Sequence, residues 1–138
     1  MTYAMAAGFQ TAVYQHLLAD AGVQAAVGTA VYDALPTGTL PDLYVTLGAE
    51  EALDRSDSSG AGALHRFTVT IRAENAGFSQ AKTAAAAICD ALLAADLTLN
   101  RGRVVGLWFD RARAERMSDG TRRISLRFTA RLDGGSGA

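Results

Sequence analysis

Hydrophobic and polar residues alternate most regularly in the last third of the chain, on either side of Asp119-Gly120. The apolar positions of the later run are Ile124, Leu126, Phe128, Ala130 and Leu132. In the earlier run, Val105, Leu107 and Phe109 are expected on one face, with Val104, Trp108 and Asp110 on the other. A period of two indicates strands with one buried face, and Asp-Gly suits a hairpin turn. We therefore predict a long hairpin within residues 101–132.

Two segments show helical spacing instead. Residues 5–20 place apolar side chains three and four positions apart, and Gly22 ends this helix before a short helical turn over residues 23–27. Residues 75–95 form a second, alanine-rich helix, with Asn75 or Ser79 as its N-cap. The expected buried stripe of the first helix carries Met5, Phe9, Ala12, Val13, His16 and Leu17. That of the second carries Phe78, Ala81, Ala85, Ile88, Cys89 and Leu92.

Two further strands are predicted between these helices, over residues 43–47 and 64–74. Residues 31–35 could add a short extended segment, and the polar, glycine-containing residues 48–63 read as a long connection. The order helix, strand, strand, helix, strand, strand predicts an α+β domain. It would contain a mainly antiparallel sheet of about four strands with helices on one face. We expect one domain over residues 1–133 and a flexible glycine-rich tail over residues 134–138.

Charge is distributed unevenly along the chain, although the net charge is only −1. Residues 1–100 carry ten acidic side chains and four basic ones, whereas residues 101–138 carry nine arginines and four acids. Arginine is favoured at protein interfaces as well as on nucleic acids. An acidic part and a basic part on one chain suit head-to-tail self-association.

The residues that could support catalysis or metal binding are few and scattered. His16 and His65 lie on apolar positions and neither has another histidine or a cysteine at ligand spacing, so both are expected to be structural. Cys89, the single cysteine, falls on the buried stripe of the second helix and is expected in the core. We expect no catalytic residues, no cofactor, no metal and no enzymatic activity.

No segment predicts a membrane span or an export signal. The longest apolar run, near residues 84–89, is far shorter than the roughly 20 residues that a membrane helix needs. The first residues lack a positive charge followed by an apolar block, so no secretory signal is visible. A reducing, cytoplasmic origin is the simple expectation.

Two surfaces remain as candidates for function. The arginines of the hairpin could form a basic sheet face for nucleic acid, but the glycine-aromatic pattern of RNA-binding sheets is missing and the pI is about 6.1. A protein interface or a solvated face is the other interpretation. The acidic residues of 48–63 miss the EF-hand spacing and favour a solvated or partner-contacting loop.

Three stretches resemble the tail terminator, or tail-completion, proteins of long-tailed phages and phage-like gene transfer agents. They are residues 31–48 (VYDALPTGTLPDLYVTLG), residues 65–75 (HRFTVTIRAEN) and residues 97–132, which contain the hairpin with Asp119-Gly120. The resemblance covers roughly residues 8–132. The arginine and alanine bias fits a high-GC bacterial host.

The resemblance implies a structural role in a virion or phage-like particle, with assembly in the bacterial cytoplasm. Such proteins form a ring, typically a hexamer, on the head-proximal end of the tail tube. The ring stops tube polymerisation and offers a surface to the head-side connector or stopper protein, and DNA passes through its channel. The implied partners are therefore other copies of the chain, the tail-tube protein and the connector, with no membrane. Two alternatives stay open: another neck component, such as a stopper or adaptor, and a small nucleic-acid-binding α+β protein.

A head-to-tail ring requires two different complementary patches on each subunit. As a hypothesis, an acidic patch meets a neighbour or the tube, and a basic patch makes subunit contacts or lines the channel. The candidate interface residues are Glu50, Glu51, Asp54, Asp57, Arg111, Arg113, Arg116 and Arg123.

Overall fold

A five-stranded sheet with helices packed on one face organises the fold. The computed structural model describes residues 3–55, 61–74, 77–99 and 102–135. The helices are α1 (Ala6–Ala19), α2 (Ala21–Val27) and α3 (Phe78–Leu93). The strands are β1 (Val31–Tyr32), β2 (Leu43–Asp54), β3 (Ala61–Ala73), β4 (Arg103–Arg116) and β5 (Arg122–Gly135). The predicted α+β class, with a mainly antiparallel sheet, is confirmed.

The strands lie in the order β1-β2-β3-β5-β4. The pairs β2–β3, β3–β5 and β5–β4 are antiparallel, and only the two-residue β1 runs parallel to its neighbour β2. β3 and β4 therefore point the same way with β5 between them, and α3 crosses over the sheet to join them. This is a split β-α-β arrangement, and it places β4 at the sheet's edge.

The core lies between the helices and the two inner strands, β3 and β5. The predicted apolar positions of β5 are all buried, and so are the alternating residues of β3, which are His65, Phe67, Val69, Ile71 and Ala73. α1 contributes Phe9, Val13 and Leu17, and α3 contributes Ile88 and Leu92. Phe67 and Phe128 stack across the two inner strands with ring centroids 5.4 Å apart. Burial of this apolar area is the main term that stabilises the sheet against the helices.

Local polar contacts fix the ends of two elements. Asp20 Oδ2 accepts a hydrogen bond from the backbone N–H of Val23 at 3.0 Å and so caps α2. α2 begins two residues before the predicted helical turn, and α1 ends at Ala19, so the prediction that Gly22 ends the first helix was wrong: Gly22 lies inside α2. In the predicted hairpin turn, Gly120 has φ +90°, and Asp119 Oδ1 accepts hydrogen bonds from the N–H and hydroxyl of Thr121. Glycine adopts this positive φ without steric cost, which confirms the predicted turn.

The sheet is larger than predicted because two strands extend into residues 48–63. β2 continues to Asp54 and β3 begins at Ala61, so a long connection over the whole of 48–63 is wrong; residues 56–60 lie outside the described residues. The sequence did not reveal the extension of β2, because a strand at the edge of a sheet can form its backbone hydrogen bonds whether or not its apolar and polar residues alternate. A register shift between Leu47 and Glu50 also breaks the period of two. The fifth strand is β1, within the predicted short extended segment.

Two bulges in β4 change the predicted faces of the hairpin. The register shifts between Val104 and Gly106 and again between Phe109 and Arg111. Each bulge adds one residue and reverses the alternation. Val104 therefore faces the core opposite Leu132, and Val105 is exposed. The predicted faces of Val104 and Val105 were wrong, whereas Leu107 and Phe109 lie on the helix side as predicted.

The remaining predicted boundaries differ by a few residues. α3 begins at Phe78 with Gly77 as its N-cap and no side-chain cap, so Ser79 does not cap it; Asn75 lies outside the described residues. β5 extends to Gly135, two residues into the predicted tail, and residues 136–138 are outside the described part. No helix in the described ranges is long and apolar enough to cross a membrane.

Candidate functional site

The sheet face opposite the helices carries most of the described arginines. Directly paired residues of antiparallel strands share a face, so the register defines this open face. Its arginines are Arg66 and Arg72 on β3, Arg103, Arg111 and Arg113 on β4, and Arg123, Arg127 and Arg131 on β5. None of them is buried. The open face is thus basic and hydroxyl-rich, since threonine and serine occupy most of the intervening positions.

One carboxylate organises the arginines at the turn end of the hairpin. Glu115 Oε1 accepts a hydrogen bond from Arg123 Nη2 at 2.9 Å, and Glu115 Oε2 lies 3.5 Å from Arg113 Nη2. The hydrogen bond from Arg123, with the positive charge of Arg113, lowers the pKa of Glu115. The carboxylate therefore stays charged and orients two guanidinium groups at the sheet's edge.

β4 forms the basic edge of the sheet, and its second half is exposed on both faces. Residues 110–114 are all exposed, with Arg111 and Arg113 on the open face and Ala112 and Ala114 on the helix side. Arg116 pairs with Arg122 near the turn, on the helix side of the sheet. In the part of the chain that the structure describes, no strand pairs with the outer side of β4.

The same strand exposes three large apolar side chains. Val105 is 47% exposed, Trp108 49% and Phe109 42%. Trp108 lies over Gly106, where an added Cβ would come within 2.8 Å of the indole ring. Phe109 contacts Phe128 edge-on, and much of its ring is still exposed to solvent. Apolar groups on both faces of one edge strand indicate a surface that a partner can cover.

The opposite edge of the sheet is acidic. β1 pairs with β2 only at Val45 and Thr46, so residues 47–54 of β2 have no strand neighbour on their outer side within the described ranges. Glu51 is exposed on the open face, and Asp54 is exposed at the end of the strand. β3 and β5 separate this acidic edge from the basic edge.

Glu50 is turned toward the helices and meets a buried histidine. His65 is 0% exposed; its Nδ1 lies 3.9 Å from Glu50 Oε2, too far for a hydrogen bond. The His65 ring stacks with Tyr3 at a centroid distance of 6.2 Å and meets Phe9 edge-on. Burial lowers the pKa of His65, and the nearby Glu50 carboxylate offsets part of that effect.

The remaining candidate features are a cleft beside α1 and the predicted structural residues His16 and Cys89. No group of three or more potential ligands among the described residues could hold a metal ion. A cleft of about 500 Å³ beside α1 is open to solvent and lined by residues such as Tyr14, Tyr32 and Asp33. His16 Nε2 contacts the carbonyl oxygen of Ala91 at 2.9 Å and so joins α1 to α3, and Cys89 is half-buried on α3.

The structure places six of the eight predicted interface residues on two edge strands. Glu50, Glu51 and Asp54 lie on the acidic edge strand and Arg111, Arg113 and Arg116 on the basic one, while Asp57 is outside the described residues. Arg123 lies on the inner strand β5, bound to Glu115. The sequence reasoning missed that Phe109 and Val105 are exposed. The signal was present, because residues 110–116 have no large apolar side chain on either face, as an edge strand permits.

Comparisons with known proteins agree with this description. A chain of a solved structure described as the virion of a native gene transfer agent (GTA) particle is 55% identical, with a TM-score of 0.91. The match covers 96% of this chain and 100% of that one. No curated protein matches the chain. Residues 11–133 match the family described as tail completion protein gp17. The resemblance inferred from the sequence is thereby confirmed: the chain belongs to the tail completion protein gp17 family and is a structural protein of tail completion.

Proposed function

We propose that the protein is a tail terminator of a gene transfer agent or phage-like particle. Copies of the chain assemble into a ring, a hexamer, on the head-proximal end of the tail tube. The ring stops addition of tube protein and presents the joining surface for the head-side connector. The observation that carries this proposal is the 55% identity to a chain of a gene transfer agent virion over almost the full length of both chains.

The two oppositely charged edges support ring formation. A ring needs a heterologous contact, in which two different patches of the same chain meet. The acidic edge, with Glu50, Glu51 and Asp54, and the basic edge, with Arg111 and Arg113, lie at opposite ends of the described sheet. A patch pair of this kind lets each copy contact two neighbours at once. The protein acts through these contacts and performs no catalysis.

The arginines of the open face support passage of DNA. Guanidinium groups attract phosphates without reading sequence, and the eight described arginines on this face include five on the inner strands β3 and β5. A small nucleic-acid-binding protein is the second candidate function that this face favours. It fits less well, because, of the large aromatic residues that the register places beside these arginines, Trp108 is exposed but Tyr44, opposite Arg72, is buried.

Removal of the gene tests the proposed function directly. Cells that lack the chain should produce tail tubes of uncontrolled length and heads without tails, as seen by negative-stain imaging of particle preparations. A wild-type copy of the gene should restore joined particles with uniform tails. Joined particles with tails of normal length in the deletion strain would contradict a terminator role, and heads that leak DNA beside normally capped tails would favour a head-side stopper.

A further inference from the structure

The sheet ends in two strand edges that no described strand covers. β4 offers 14 residues on one side, and residues 47–54 of β2 offer their outer side on the other. Unpaired edge strands present rows of backbone donors and acceptors that can pair with another chain. Each edge therefore has the geometry to accept one further strand.

Strand direction decides which copies can join. Direction alternates from β2 to β3, from β3 to β5 and from β5 to β4, so β2 and β4 run in opposite directions. A second copy in the same orientation brings its β2 alongside β4 of the first copy, and the two strands are antiparallel. The sheet then continues with the hydrogen-bond pattern that it has internally. Because the contact is head-to-tail, its repetition closes a ring or extends a filament.

Charge disfavours the competing pairing of β4 with itself. A β4–β4 contact would bring together two strands that each carry four arginines and only two carboxylates, Asp110 and Glu115, so the contact would have an excess of like charge. The β2 edge offers Glu51 instead, which is exposed on the same open face as Arg113. Opposite charges across the new strand pair favour the head-to-tail contact and oppose the symmetric one.

The exposed apolar residues of β4 also gain cover in this arrangement. Trp108 lies on the open face and Phe109 on the helix face, so a neighbouring strand flanks both. The β2 edge supplies Ala52 and Leu53, which are half-buried within one copy. Small and aliphatic side chains beside large aromatic ones pack well across strands.

We propose that the outer edge of β4 in one copy pairs antiparallel with residues 47–54 of β2 in the next copy, so that the sheets of neighbouring subunits are continuous. Closure into a ring rests on the proposed function; the pairwise contact rests on the strand directions and the charges. The open arginine face then continues from subunit to subunit.

Site-specific crosslinking tests the contact. Ala112→Cys on β4 and Ala52→Cys on β2 are made separately in a Cys89→Ala background and mixed with a short bismaleimide reagent. The mixture should give roughly ten times more crosslinked dimer than Ala112→Cys mixed with Ala86→Cys, an exposed position on α3, because contact raises the effective concentration of the thiols. A single chain carrying both Ala112→Cys and Ala52→Cys should give a ladder of higher oligomers. The reagent traps transient contacts, so both results are expected even where the free protein is mainly monomeric.

Charge reversal provides a second readout on intact protein. Arg113→Glu should abolish the crosslinking of the Ala112→Cys and Ala52→Cys pair, and Glu51→Arg in the partner copy should restore it. Arg127→Glu, on the same face but on the inner strand β5, is the matched control and should leave the yield unchanged.

Crosslinking of Ala112→Cys to itself as efficiently as to Ala52→Cys would overturn the proposal in favour of β4–β4 pairing. A yield no greater than that of the Ala86→Cys control would also overturn it. The outcome is separable from the terminator role. Capped tails without the crosslink would refute only this contact. If the crosslink forms but deletion of the gene leaves joined particles with tails of normal length, only the proposed function would be refuted.

Discussion

At the scale of single residues, His65 is the most unusual group in the core. It is fully buried with neither ring nitrogen hydrogen-bonded, beside the carboxylate of Glu50 and under the ring of Tyr3. Burial of an imidazole without a hydrogen bond disfavours its charged form and lowers its pKa. The position therefore suits an aromatic ring, and neutral histidine acts here as one.

This burial predicts a pH-dependent stability. The unfolded chain binds a proton at His65 near its ordinary pKa of 6.5, whereas the folded chain binds it only at lower pH. As pH falls below about 6.5, the unfolded state is favoured by up to about 1.4 kcal/mol per pH unit, until the folded pKa is reached. His65→Phe should therefore lose less stability than wild type between about pH 7.5 and about pH 5.5 in urea denaturation. Equal losses in both proteins would show that His65 does not titrate in this way.

At the scale of elements, the alanines of α3 set its distance from the sheet. Ala81, Ala84 and Ala91 are buried in the core that α3 shares with the sheet and the other helices. Short side chains let a helix approach closely, and interiors are packed too densely to accept added volume. The positions of α3 that face the core therefore require side chains that are small as well as apolar.

A matched pair of substitutions tests this packing. Ala84→Leu should destabilise the protein by about 1–3 kcal/mol, because Ala84 is 1% exposed and the added carbons have no space. Ala86→Leu, on the exposed side of the same helix, should change stability by less than about 0.5 kcal/mol. Both are measured by chemical denaturation. A small effect at Ala84 would mean that α3 can move away from the sheet without cost.

The sequence predicted the inner elements better than the edge strands, for a physical reason. β3 and β5 lie between other strands with one face on the core, so their apolar residues must alternate, as Val69 and Leu126 do. β4 and the second half of β2 pair on one side only and form bulges. Their side chains can be charged or apolar with little consequence for the core. Val105, for instance, is exposed because a register shift precedes Gly106, which no periodicity in the sequence reveals.

At the scale of the whole molecule, the acidic and basic groups lie at opposite edges of one sheet. The sequence predicted an acidic segment and an arginine-rich hairpin but gave no positions for them relative to each other. Their separation depends on β5 inserting between β3 and β4, a long-range choice of strand order. Glu51 and Arg113 thereby lie on the same face at opposite edges, where neighbouring copies could bring them together.

The most direct test of the proposed ring is the oligomeric state of the protein, alone and on tail tubes. Native mass spectrometry of the purified protein, alone and mixed with isolated tail tubes, would be combined with negative-stain imaging of the same samples. A tail terminator should form an assembly of about six copies, free or on tube ends, seen as a ring at one end of each tube. A strict monomer that ignores tubes and instead binds duplex DNA with a steep salt dependence would contradict it. The open arginine face would then be a nucleic-acid surface.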